Sequence, residues 1–241
     1  MIFAAGLGTR MRPLTDHLPK ALIPILGRPL LGIVIQRLIS FGYNEIVVNV
    51  HYRAPMIVEY LNSQNNFGIK IHISDESEML LDTGGGLLKA APLLAGKEPI
   101  LVCNVDILSD IDFTEIRQAH SLNSKKPIAT LAVRKRPSER FFLFNEENLL
   151  CGWQNSKTGQ IRHANPCFRA VPFAFSGIQL IEPVFFEKIA FTGKFSLVDA
   201  YLELSKKFPV AMFDHSHTHW VDVGKPESIK EAEKILPCLF A

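Results

Sequence analysis

The amino-acid sequence predicts an α/β fold of three layers, with helices on both faces of a mostly parallel, mixed sheet and a small β flap. Strand-like and helix-like segments alternate through the first half of the chain, which is the pattern of a parallel sheet with right-handed crossovers. The second half changes to short strands separated by turn residues. The chain has 241 residues, of which 47% are hydrophobic and 21% are charged, so it can bury a substantial core.

Elements of the first half follow from apolar runs, β-branched residues and helix signals. Pro29 stands where the first turn of a helix tolerates proline, and Gly42 stands where that helix should end. Asp112 is placed to cap a later helix. The predicted order is strand 1–5, helix 29–39, strand 45–50, helix 55–61, strand 69–73, helix 87–94, strand 99–104, helix 112–121 and strand 128–133.

The second half starts a different pattern at about residue 141. Its apolar segments are broken by Asn, Gly and Pro signals, which predicts a mixed or antiparallel flap packed on the main sheet. Phe141, Phe142 and Phe144 are expected in the core, and Ser176-Gly177 at a bend in a strand. The predicted elements are strands 141–144, 149–153 and 173–180, a helix opening at residue 183, helix 197–206, strand 210–213 and helix 226–236.

Charge and cysteine usage exclude several classes of function. The net charge is +2, and basic residues gather only in the run Arg134-Lys135-Arg136, interpreted as a solvated loop. Neither nucleic acid nor a membrane is therefore expected as a partner. The four cysteines lie far apart without a C-x-x-C pair, which favours reduced thiols and a cytoplasmic location. No apolar run reaches the roughly 18 residues of a membrane span, and no signal peptide is expected before the first strand.

A glycine-rich turn follows the first strand. Gly6 and Gly8 lack a Cβ atom, so the backbone amides around them can approach a bound anion closely. Three cations follow, namely Arg10, Arg12 and Lys20. The only acid in the same segment is Asp16. A glycine turn at the end of a buried strand, with cations behind it, predicts a phosphate-binding site.

Two familiar phosphate-binding patterns do not fit this turn. A dinucleotide-binding turn requires a third glycine and an acid about 20 residues later. Here Met11 occupies the glycine position, and the second strand ends near Asn49 and His51. The P-loop pattern is absent. What remains is G-x-G-T-R-M-R-P-L-T, then P-K, then P.

This longer pattern resembles the signature of the sugar-1-phosphate nucleotidyltransferases (NDP-sugar pyrophosphorylases), which make nucleotide sugars, and the resemblance spans almost the whole chain. It implies a Rossmann-like, GT-A-like fold in a single domain, with a nucleotide-binding half of about 1–135 and a sugar-phosphate-binding half of about 136–241. The implied partners are a nucleoside triphosphate and a sugar 1-phosphate, bound by a monomer or a homodimer. Similar proteins begin this strand a few residues later, and many add a β-helical domain at the end. A short missing N-terminal piece and a single-activity enzyme are therefore expected.

Carboxylates form a second group of candidate site residues. Gly6, Asp75 and Asp106 each follow the carboxyl end of a predicted strand, where ligands bind in parallel sheets, so they are expected to share one cleft. Taken alone, Asp106 reads as a cap of the next turn. The resemblance implies instead that Asp106 and Asp222 hold Mg²⁺, since the stretch WVDVG (220–224) is similar to the family's W-x-D-x-G motif. Magnesium accepts one or two carboxylates beside substrate phosphates.

The chemistry follows from charge. A sugar 1-phosphate is already a nucleophile, so the protein needs no activated serine or cysteine and must instead align and neutralise phosphates. We hypothesise that Arg10 grips the β- and γ-phosphates and that Lys20 contacts the α-phosphate and the incoming phosphate. The catalytic set implied by the resemblance is Arg10, Lys20, Asp106 and Asp222. The expected nucleotide-binding residues are Ala4, Ala5, Gly6, Leu7, Gly8, Thr9, Arg10, Glu76, Gly85 and Asn104.

The base site is expected in the stretch LDTGGG (81–86), where the family uses a glycine to bring its backbone to the base and Gly85 is the best match. Alternatively, these glycines form only a flexible start of a helix. Glu76 lies nearby and is expected either to bind the nucleotide or to be a surface acid. The LDTGGG form resembles N-acetylmuramate 1-phosphate uridylyltransferases, whereas mannose-1-phosphate guanylyltransferases more often carry G-T-A-G. Uridine is therefore favoured over guanosine.

The sugar site matches the family least. Gly152 and Asn165, together with Lys20, correspond to sugar-phosphate contacts in relatives, but Ala-Asn-Pro replaces the common E-K-P triplet at 164–166. Ala21 and Lys225 also replace the usual proline and threonine beside the two signature motifs. Three alternatives stay open: a mannose-1-phosphate guanylyltransferase, a phosphocholine cytidylyltransferase and a non-catalytic nucleotide-sugar sensor. The sensor is disfavoured because all four catalytic residues are present.

Three histidines alternate near the end of the chain. On a strand, His215, His217 and His219 would face one way, as ligands of a zinc ion do. No cysteine or carboxylate completes such a set, and the segment leads directly into Trp220. The segment is therefore interpreted as a connection rather than as a zinc site.

Overall fold

The structure, a computed structural model, describes residues 1–240 as strands and helices joined by loops and short 3-10 turns. The strands are β1 (Ile2–Phe3), β2 (Pro24–Ile25), β3 (Arg28–Pro29), β4 (Glu45–Val50), β5 (Lys70–Asp75), β6 (Ile100–Asn104), β7 (Ile107–Ser109), β8 (Ala129–Arg134), β9 (Arg140–Phe144), β10 (Leu150–Asn155), β11 (Gln160–His163), β12 (Val171–Ile181), β13 (Val210–Asp214) and β14 (Trp220–Asp222). The helices are α1 (Leu30–Ser40), α2 (Ala54–Ser63), α3 (Asp82–Ala90), α4 (Phe113–Ser121), α5 (Phe185–Lys188), α6 (Leu197–Leu204) and α7 (Ser228–Ile235). Among residues 1–240, no helix is long and apolar enough to span a lipid bilayer.

One large sheet organises these elements. Its strand order is β11-β10-β9-β12-β6-β1-β4-β5, and β8 pairs with both β12 and β13 beside this path. The strands β6, β1, β4 and β5 are parallel, whereas β12 runs antiparallel to β6, β8 and β9. The predicted α/β fold is therefore confirmed, with a parallel region built by the first part of the chain and an antiparallel flap of β9, β10 and β11.

Strand β12 joins the flap to the main sheet. Its first residues pair with β9 and its last with β6, and the register shifts between Phe175 and Gln179. Gly177 lies within this shift with a φ of +75°, and a Cβ atom there would come within 2.8 Å of the Ile107 side chain. The predicted bend at Ser176-Gly177 is confirmed, because glycine adopts a positive φ without strain and leaves room for the neighbouring strand.

Two apolar clusters cover the two faces of the sheet. Side chains alternate along β6, so Leu101 and Cys103 join one cluster and Val102 joins the other. The first cluster takes the buried faces of α1, α2, α4 and α7, and the second takes those of α3, α5 and α6. Phe142 and Phe144 lie in the second cluster as expected, whereas Phe141 is only half-buried and belongs to neither cluster, so the prediction is wrong for Phe141. Each fully buried large apolar side chain contributes about 1.5–3 kcal/mol, so the helices are held on the sheet mainly by this burial.

Helix ends agree with their sequence signals at two of three places. The Asp112 side chain accepts a 2.6 Å hydrogen bond from the amide of Thr114, which confirms the predicted cap of α4. Gly42 has a φ of +82°, and its amide donates to the carbonyl oxygen of Ile39 at 2.9 Å, which ends α1. Pro29 precedes the first turn of α1 instead of occupying it, because its backbone is extended with a ψ of 140°.

Two elements differ from prediction for local reasons. β1 is shorter than the predicted strand because the amide of Ala4 donates to Oδ1 of Asn49 at 2.7 Å, and the chain then leaves the sheet. α3 begins at Asp82, earlier than predicted, since its three glycines lie inside the helix. A Cβ atom at Gly84 would stand 2.3 Å from the ring of Phe195. Tertiary contact, not helix propensity, therefore selects glycine there.

A second, small sheet pairs β7 with β14 in antiparallel fashion. Each of these strands has three residues, too few for an alternating pattern to be recognised in the sequence. The ladder brings a late segment of the chain to the carboxyl end of β6. It thereby positions one wall of the candidate site.

Candidate active site

A cavity of about 460 Å³ opens beside the carboxyl ends of β1 and β6, where ligands bind in parallel sheets. Its walls come from the glycine-rich turn, the end of β6, the start of α3 and two later loops. Of the residues predicted to bind nucleotide, all except Gly85 line it: Ala4, Ala5, Gly6, Leu7, Gly8, Thr9, Arg10, Glu76 and Asn104. The structure therefore gathers the predicted nucleotide-binding residues at one place.

The glycine-rich turn folds tightly against the residues that follow it. Gly8 has a φ of +64°, and its carbonyl oxygen accepts from the amide of Met11 at 2.8 Å and from the hydroxyl of Thr15 at 2.9 Å. A Cβ atom on Gly8 would lie 2.9 Å from Thr15 and 3.1 Å from Cβ of Lys20. Glycine is therefore required both for the turn and for the close approach of the lysine.

Lys20 and Asp106 form an ion pair at the cavity wall. Lys20 is only 9% exposed, and its ammonium contacts the carboxylate of Asp106. A lysine this deeply placed requires a compensating charge. The pair holds a cation and an anion side by side. The ammonium of Lys20 could bind a phosphate, and the carboxylate of Asp106 could bind a metal ion.

Asp106 and Asp222 are brought together by the β7–β14 ladder. Asp222 pairs with Ile107, and the amide of Val223 donates to the carbonyl oxygen of Asp106 at 2.8 Å. Oδ1 of Asp222 is buried and has no hydrogen-bond partner within residues 1–240. Burial raises the pKa of Asp222, and the neighbouring carboxylate of Asp106 raises it further, while nearby cations oppose the rise. A buried carboxylate oxygen without a donor is an arrangement that a bound cation would complete.

These two carboxylates fit a hard divalent cation such as Mg²⁺. Magnesium is usually bound by one or two carboxylates and completes its octahedron with water and substrate phosphates. Within residues 1–240 there is no group of three or more His, Cys, Asp or Glu side chains that could hold a metal ion. A metal bound by Asp106 and Asp222 would therefore depend on a substrate or water to complete its coordination.

Arg10 reaches the same end of the cavity from the glycine-rich turn. A Cβ atom on Gly224 would lie 2.7 Å from Oδ1 of Asp222 and 3.0 Å from Nη2 of Arg10. Gly224 therefore leaves the room in which the guanidinium and the carboxylate approach each other. The four residues of the predicted catalytic set lie together at this end: Arg10, Lys20, Asp106 and Asp222.

Glu76 is only 1% exposed, so its interpretation as a surface acid is wrong. Its carboxylate accepts from Nδ2 of Asn49 at 2.7 Å and from the amide of Leu81 at 3.1 Å. Oδ1 of Asn49 in turn accepts from the amide of Ala4. This network ties the start of the glycine-rich turn to the loop before α3. Asn49 was not predicted as a site residue, although a buried polar side chain in an apolar strand is a signal for one.

Gly85 lies away from the cavity. It is buried within α3, and a Cβ atom there would stand 2.2 Å from the carbonyl oxygen of Gly193, so its role in the structure is helix packing. The cavity is lined instead by Asp82 and Thr83, the first residues of α3. Asp82 has a φ of +61°, the backbone conformation for which glycine is the usual choice. Of the stretch 81–86, the first residues of the helix and not Gly85 therefore lie at the cavity.

Asp75 does not share the cleft with Gly6 and Asp106. It is exposed at the end of β5, and its carboxylate accepts from the amide of Ser77 at 2.8 Å. Successive side chains of an extended chain point to opposite faces, so the side chain of Glu76, the next residue, points into the protein. The prediction of a shared cleft is confirmed for Gly6 and Asp106 and is wrong for Asp75.

Gly152 and Asn165, the predicted sugar contacts, lie in the flap region and do not line the cavity. A Cβ atom on Gly152 would stand 2.7 Å from the carbonyl oxygen of Arg162 on β11. The Asn165 amide donates to the carbonyl oxygen of Ser205 at 2.6 Å. Both residues therefore serve packing in this structure. The second half of the chain contributes a different side chain to the cavity wall, that of Lys194, which no motif singled out.

The basic run at 134–136 is not a solvated loop throughout. The guanidinium of Arg136 lies 4.4 Å from the ring centroid of Trp220 and donates to the carbonyl oxygen of Phe175 at 3.1 Å. The guanidinium of Arg134 lies 5.6 Å from the same ring. Burial lowers the pKa of both arginines. The interpretation is wrong for these two residues, and the charge of Arg136 is one of those that oppose the raised pKa of the nearby Asp222.

The three alternating histidines do not converge. β13 ends before them, so the segment is not a strand. His215 is fully buried, with Nε2 2.6 Å from Oγ of Ser176, and burial lowers its pKa to about 4. His219 contacts Asp110, and His217 faces solvent. The described part of the chain, residues 1–240, therefore contains no zinc site built from this segment.

Sequence comparison places the glycine-rich turn and the Asp106 strand within a known family pattern. Residues 1–144 match the family model described as nucleotidyl transferase. The N-acetylmuramate alpha-1-phosphate uridylyltransferase of Neisseria meningitidis serogroup B is 33% identical over 239 residues, covering 98% of this chain and 96% of that enzyme. The enzyme of the same name from Caulobacter vibrioides is 44% identical over 108 residues, 44% of each chain. The mannose-1-phosphate guanyltransferase of Hypocrea jecorina is 28% identical over 94% of this chain and 61% of its own length.

Solved structures share the fold at lower sequence identity. HddC from Yersinia pseudotuberculosis complexed with GMP-PN superposes with a TM-score of 0.75 at 20% identity, covering 97% of this chain and 96% of the other. A UDP-glucose pyrophosphorylase complexed with UDP-glucose has a TM-score of 0.71 at 21% identity, covering 98% of this chain and 97% of the other. At these identities the likeness shows a common nucleotidyltransferase architecture, GT-A-like as the sequence predicts.

Proposed function

The chain belongs to the nucleotidyltransferase family, and we propose that it is an enzyme that transfers a nucleoside monophosphate from a nucleoside triphosphate to a sugar 1-phosphate. Pyrophosphate is released and a nucleotide sugar is formed. The observation that carries this proposal is the meeting of two cations and two carboxylates beside the glycine-rich turn: Arg10, Lys20, Asp106 and Asp222. A transfer between phosphates requires this combination of charges in one place.

The reaction needs no covalent intermediate with the protein. An oxygen of the sugar phosphate attacks the α-phosphorus of the triphosphate, and the bond from that phosphorus to the oxygen bridging the α- and β-phosphates breaks. Both reactants are anions, so the protein must hold them in line against their repulsion and stabilise the charge that develops on pyrophosphate. Arg10 suits the β- and γ-phosphates because its planar guanidinium donates two parallel hydrogen bonds. Lys20 suits the α-phosphate and the incoming phosphate as a point charge.

Asp106 and Asp222 would hold Mg²⁺ in this proposal. The orphaned Oδ1 of Asp222 and the proximity of two carboxylates support that role. When bound, the ion supplies positive charge that neutralises the phosphates around the reacting centre. Lys20 contacts Asp106 in the structure, so in this proposal Lys20 and the metal ion compete for the same carboxylate.

The nucleoside is assigned to the wall formed by Asn49, Glu76 and the start of α3. Backbone groups of 4–9 and the first residues of α3, Asp82 and Thr83, lie where a base and ribose would reach from the phosphate end. UTP is the favoured triphosphate and N-acetylmuramate 1-phosphate the favoured acceptor. The full-length match to the Neisseria meningitidis enzyme supports both choices. Reduced thiols and a nucleotide substrate support a cytoplasmic location for the reaction.

A pyrophosphate-release assay tests the proposal. The purified chain is incubated with Mg²⁺ and each of the four common nucleoside triphosphates, against N-acetylmuramate 1-phosphate, mannose 1-phosphate, glucose 1-phosphate and phosphocholine. We expect the fastest release with UTP and N-acetylmuramate 1-phosphate, and none without an acceptor. The alternative guanylyltransferase activity predicts that GTP with mannose 1-phosphate is fastest. Absence of release with every pair would refute the enzyme and support a binding protein.

A further inference from the structure

Lys194 lines the cavity, and the loop that carries it is hydrogen-bonded to the start of α3. It belongs to the loop between α5 and α6 and follows Gly193, whose φ is +70°. The carbonyl oxygen of Gly193 lies against Gly85, where a Cβ atom would come within 2.2 Å. A side chain at Gly85 would therefore displace the loop that carries Lys194.

Hydrogen bonds hold this loop on α3 from the other side of Lys194. The amide of Phe195 donates to the carbonyl oxygen of Leu81 at 3.2 Å, and its carbonyl oxygen accepts from the amide of Gly84 at 2.9 Å. The amide of Leu197 donates to Oγ1 of Thr83 at 3.0 Å. The backbone on both sides of Lys194 thus contacts the helix that forms the cavity wall. These contacts fix the position of the Lys194 Cα atom, from which its side chain extends.

The ammonium of Lys194 has no carboxylate within 4 Å among residues 1–240. Three acids share its cavity, and one of them, Asp82, accepts from the amide of Thr83 at 2.6 Å. Glu76 accepts from Asn49 and Leu81, and Asp106 pairs with Lys20. Lys194 is therefore a cation of the cavity that no residue of the described chain neutralises.

The charges of the proposed substrates account for the other two cavity cations. Arg10 and Lys20 serve the phosphates in the proposed function, and a nucleobase is neutral near pH 7. A third unpaired cation matches a third anionic group, and an ammonium gains more from a carboxylate than from a neutral carbonyl or hydroxyl. N-acetylmuramate carries such a group, the carboxylate of its lactyl ether, whereas N-acetylglucosamine and mannose carry none.

We propose that Lys194 is a specificity residue that pairs with a carboxylate on the sugar of the sugar 1-phosphate. The enzyme would thereby prefer acidic sugar phosphates over neutral ones of the same size. This inference rests on the proposed function, and it adds the residue that distinguishes the acceptor.

The test compares one acceptor in two charge states. Initial rates are measured with UTP and either N-acetylmuramate 1-phosphate or its carboxyl methyl ester, for the wild type, Lys194→Met, Lys194→Arg and the control Lys188→Met. Lys188 is an exposed lysine at the end of α5 that does not line the cavity. We expect Lys194→Met to lose about 10-fold or more in kcat/KM for the acid, mainly through the KM of the sugar phosphate. Its rates with the ester and its KM for UTP should stay as in the wild type.

Lys194→Arg should keep most of the preference for the acid, because it keeps the charge, and Lys188→Met should behave as the wild type. Three results with Lys194→Met would each overturn the inference. They are an equal loss of kcat/KM with the acid and with the ester, a raised KM for UTP, and an unchanged kcat/KM with the acid. A wild type that uses acid and ester equally well would overturn it while leaving the proposed function intact. A wild type without pyrophosphate release on any pair would overturn both.

Discussion

The amide of Val223 donates a 2.8 Å hydrogen bond to the carbonyl oxygen of Asp106, and this contact joins two parts of the chain that are far apart in sequence. It extends the short β7–β14 ladder and sets the carboxyl group of Asp222 beside that of Asp106. Backbone hydrogen bonds thus bring the two acids together. Oδ1 of Asp222 has no hydrogen-bond partner within residues 1–240, whereas the carboxylate of Asp106 contacts Lys20. A divalent cation would complete the first contact and would compete with the lysine for the second.

Arg10 should be needed for turnover and not for folding. Its side chain is exposed toward the cavity, so Arg10→Ala should leave the melting temperature within about 2 °C of the wild type. Turnover should fall on the order of 100-fold or more, because a charge partner of the departing pyrophosphate is lost. Arg10→Lys should recover only part of the rate, since lysine lacks the bidentate fork. Steady-state kinetics with pyrophosphate detection measure this, and wild-type turnover in Arg10→Ala would remove Arg10 from the mechanism.

Lys20 should have two separable effects. Lys20→Met should lower turnover by about 100-fold or more, as loss of a phosphate contact does. It should also raise the affinity of the nucleotide-free protein for Mn²⁺ by about 5- to 10-fold, because the ammonium no longer competes for the carboxylate of Asp106. Calorimetric titration measures the second effect. Lys89→Met is the control, since the Lys89 ammonium binds the carbonyl oxygen of Asp75 outside the cavity. Unchanged or weaker Mn²⁺ binding in Lys20→Met would contradict the competition.

Gly224 should be intolerant of even one methyl group. In Gly224→Ala the new Cβ atom would meet Oδ1 of Asp222 at 2.7 Å and Nη2 of Arg10 at 3.0 Å. One or both groups must move, so kcat should fall by about 10-fold or more. Gly96→Ala is the matched control, because a Cβ atom at Gly96 meets nothing within 4 Å. Equal kinetics of the two variants would show that this approach of Arg10 to Asp222 does not matter for the reaction.

Stability should depend on the protonation of His215. Burial and the charge of Arg134 lower its pKa from 6.5 to about 4 in the folded protein. Between these values the unfolded chain binds a proton that the folded protein excludes. The contribution of His215 is therefore fully present above pH 6.5 and is lost as the pH falls toward 4.

Urea denaturation at several pH values measures this contribution. From this residue alone, the free energy of unfolding should fall by up to about 3 kcal/mol from neutral pH to pH 4. His215→Gln cannot titrate, so its stability should decline less over the same range. A decline equal to that of the wild type, or an NMR titration of the His215 ring near its ordinary pKa, would contradict the assignment.

Motif and strand position together were sufficient to predict which residues meet at one end of the cavity. The glycine-rich turn and the carboxyl ends of the strands identified Gly6, Lys20 and Asp106 because both features are local in sequence. Asp222 followed from its five-residue motif. Its position beside Asp106 depends on a ladder of two three-residue strands, which has no periodic signal.

The rest of the site depends on tertiary contacts that a sequence pattern does not contain. Gly85 was expected to face a base, yet Gly193 packs against it and the cavity is lined by Asp82 instead. Glu76 resembles any acid that follows a strand, and its burial is visible only once Asn49 and Leu81 are placed around it. Buried polar residues and glycines in close contact are the features for which long-range packing outweighs local preference.

Asp106 and Asp222 are expected to bind one divalent cation together with the triphosphate. Binding of Mn²⁺ in the presence of a non-hydrolysable UTP analogue, followed by electron paramagnetic resonance, tests it most directly. Asp106→Asn and Asp222→Asn should each weaken binding by about 10- to 100-fold, the double variant should lose little more than either alone, and the exposed control Asp75→Asn should bind as the wild type does. Wild-type Mn²⁺ affinity in either Asp106→Asn or Asp222→Asn would contradict the claim.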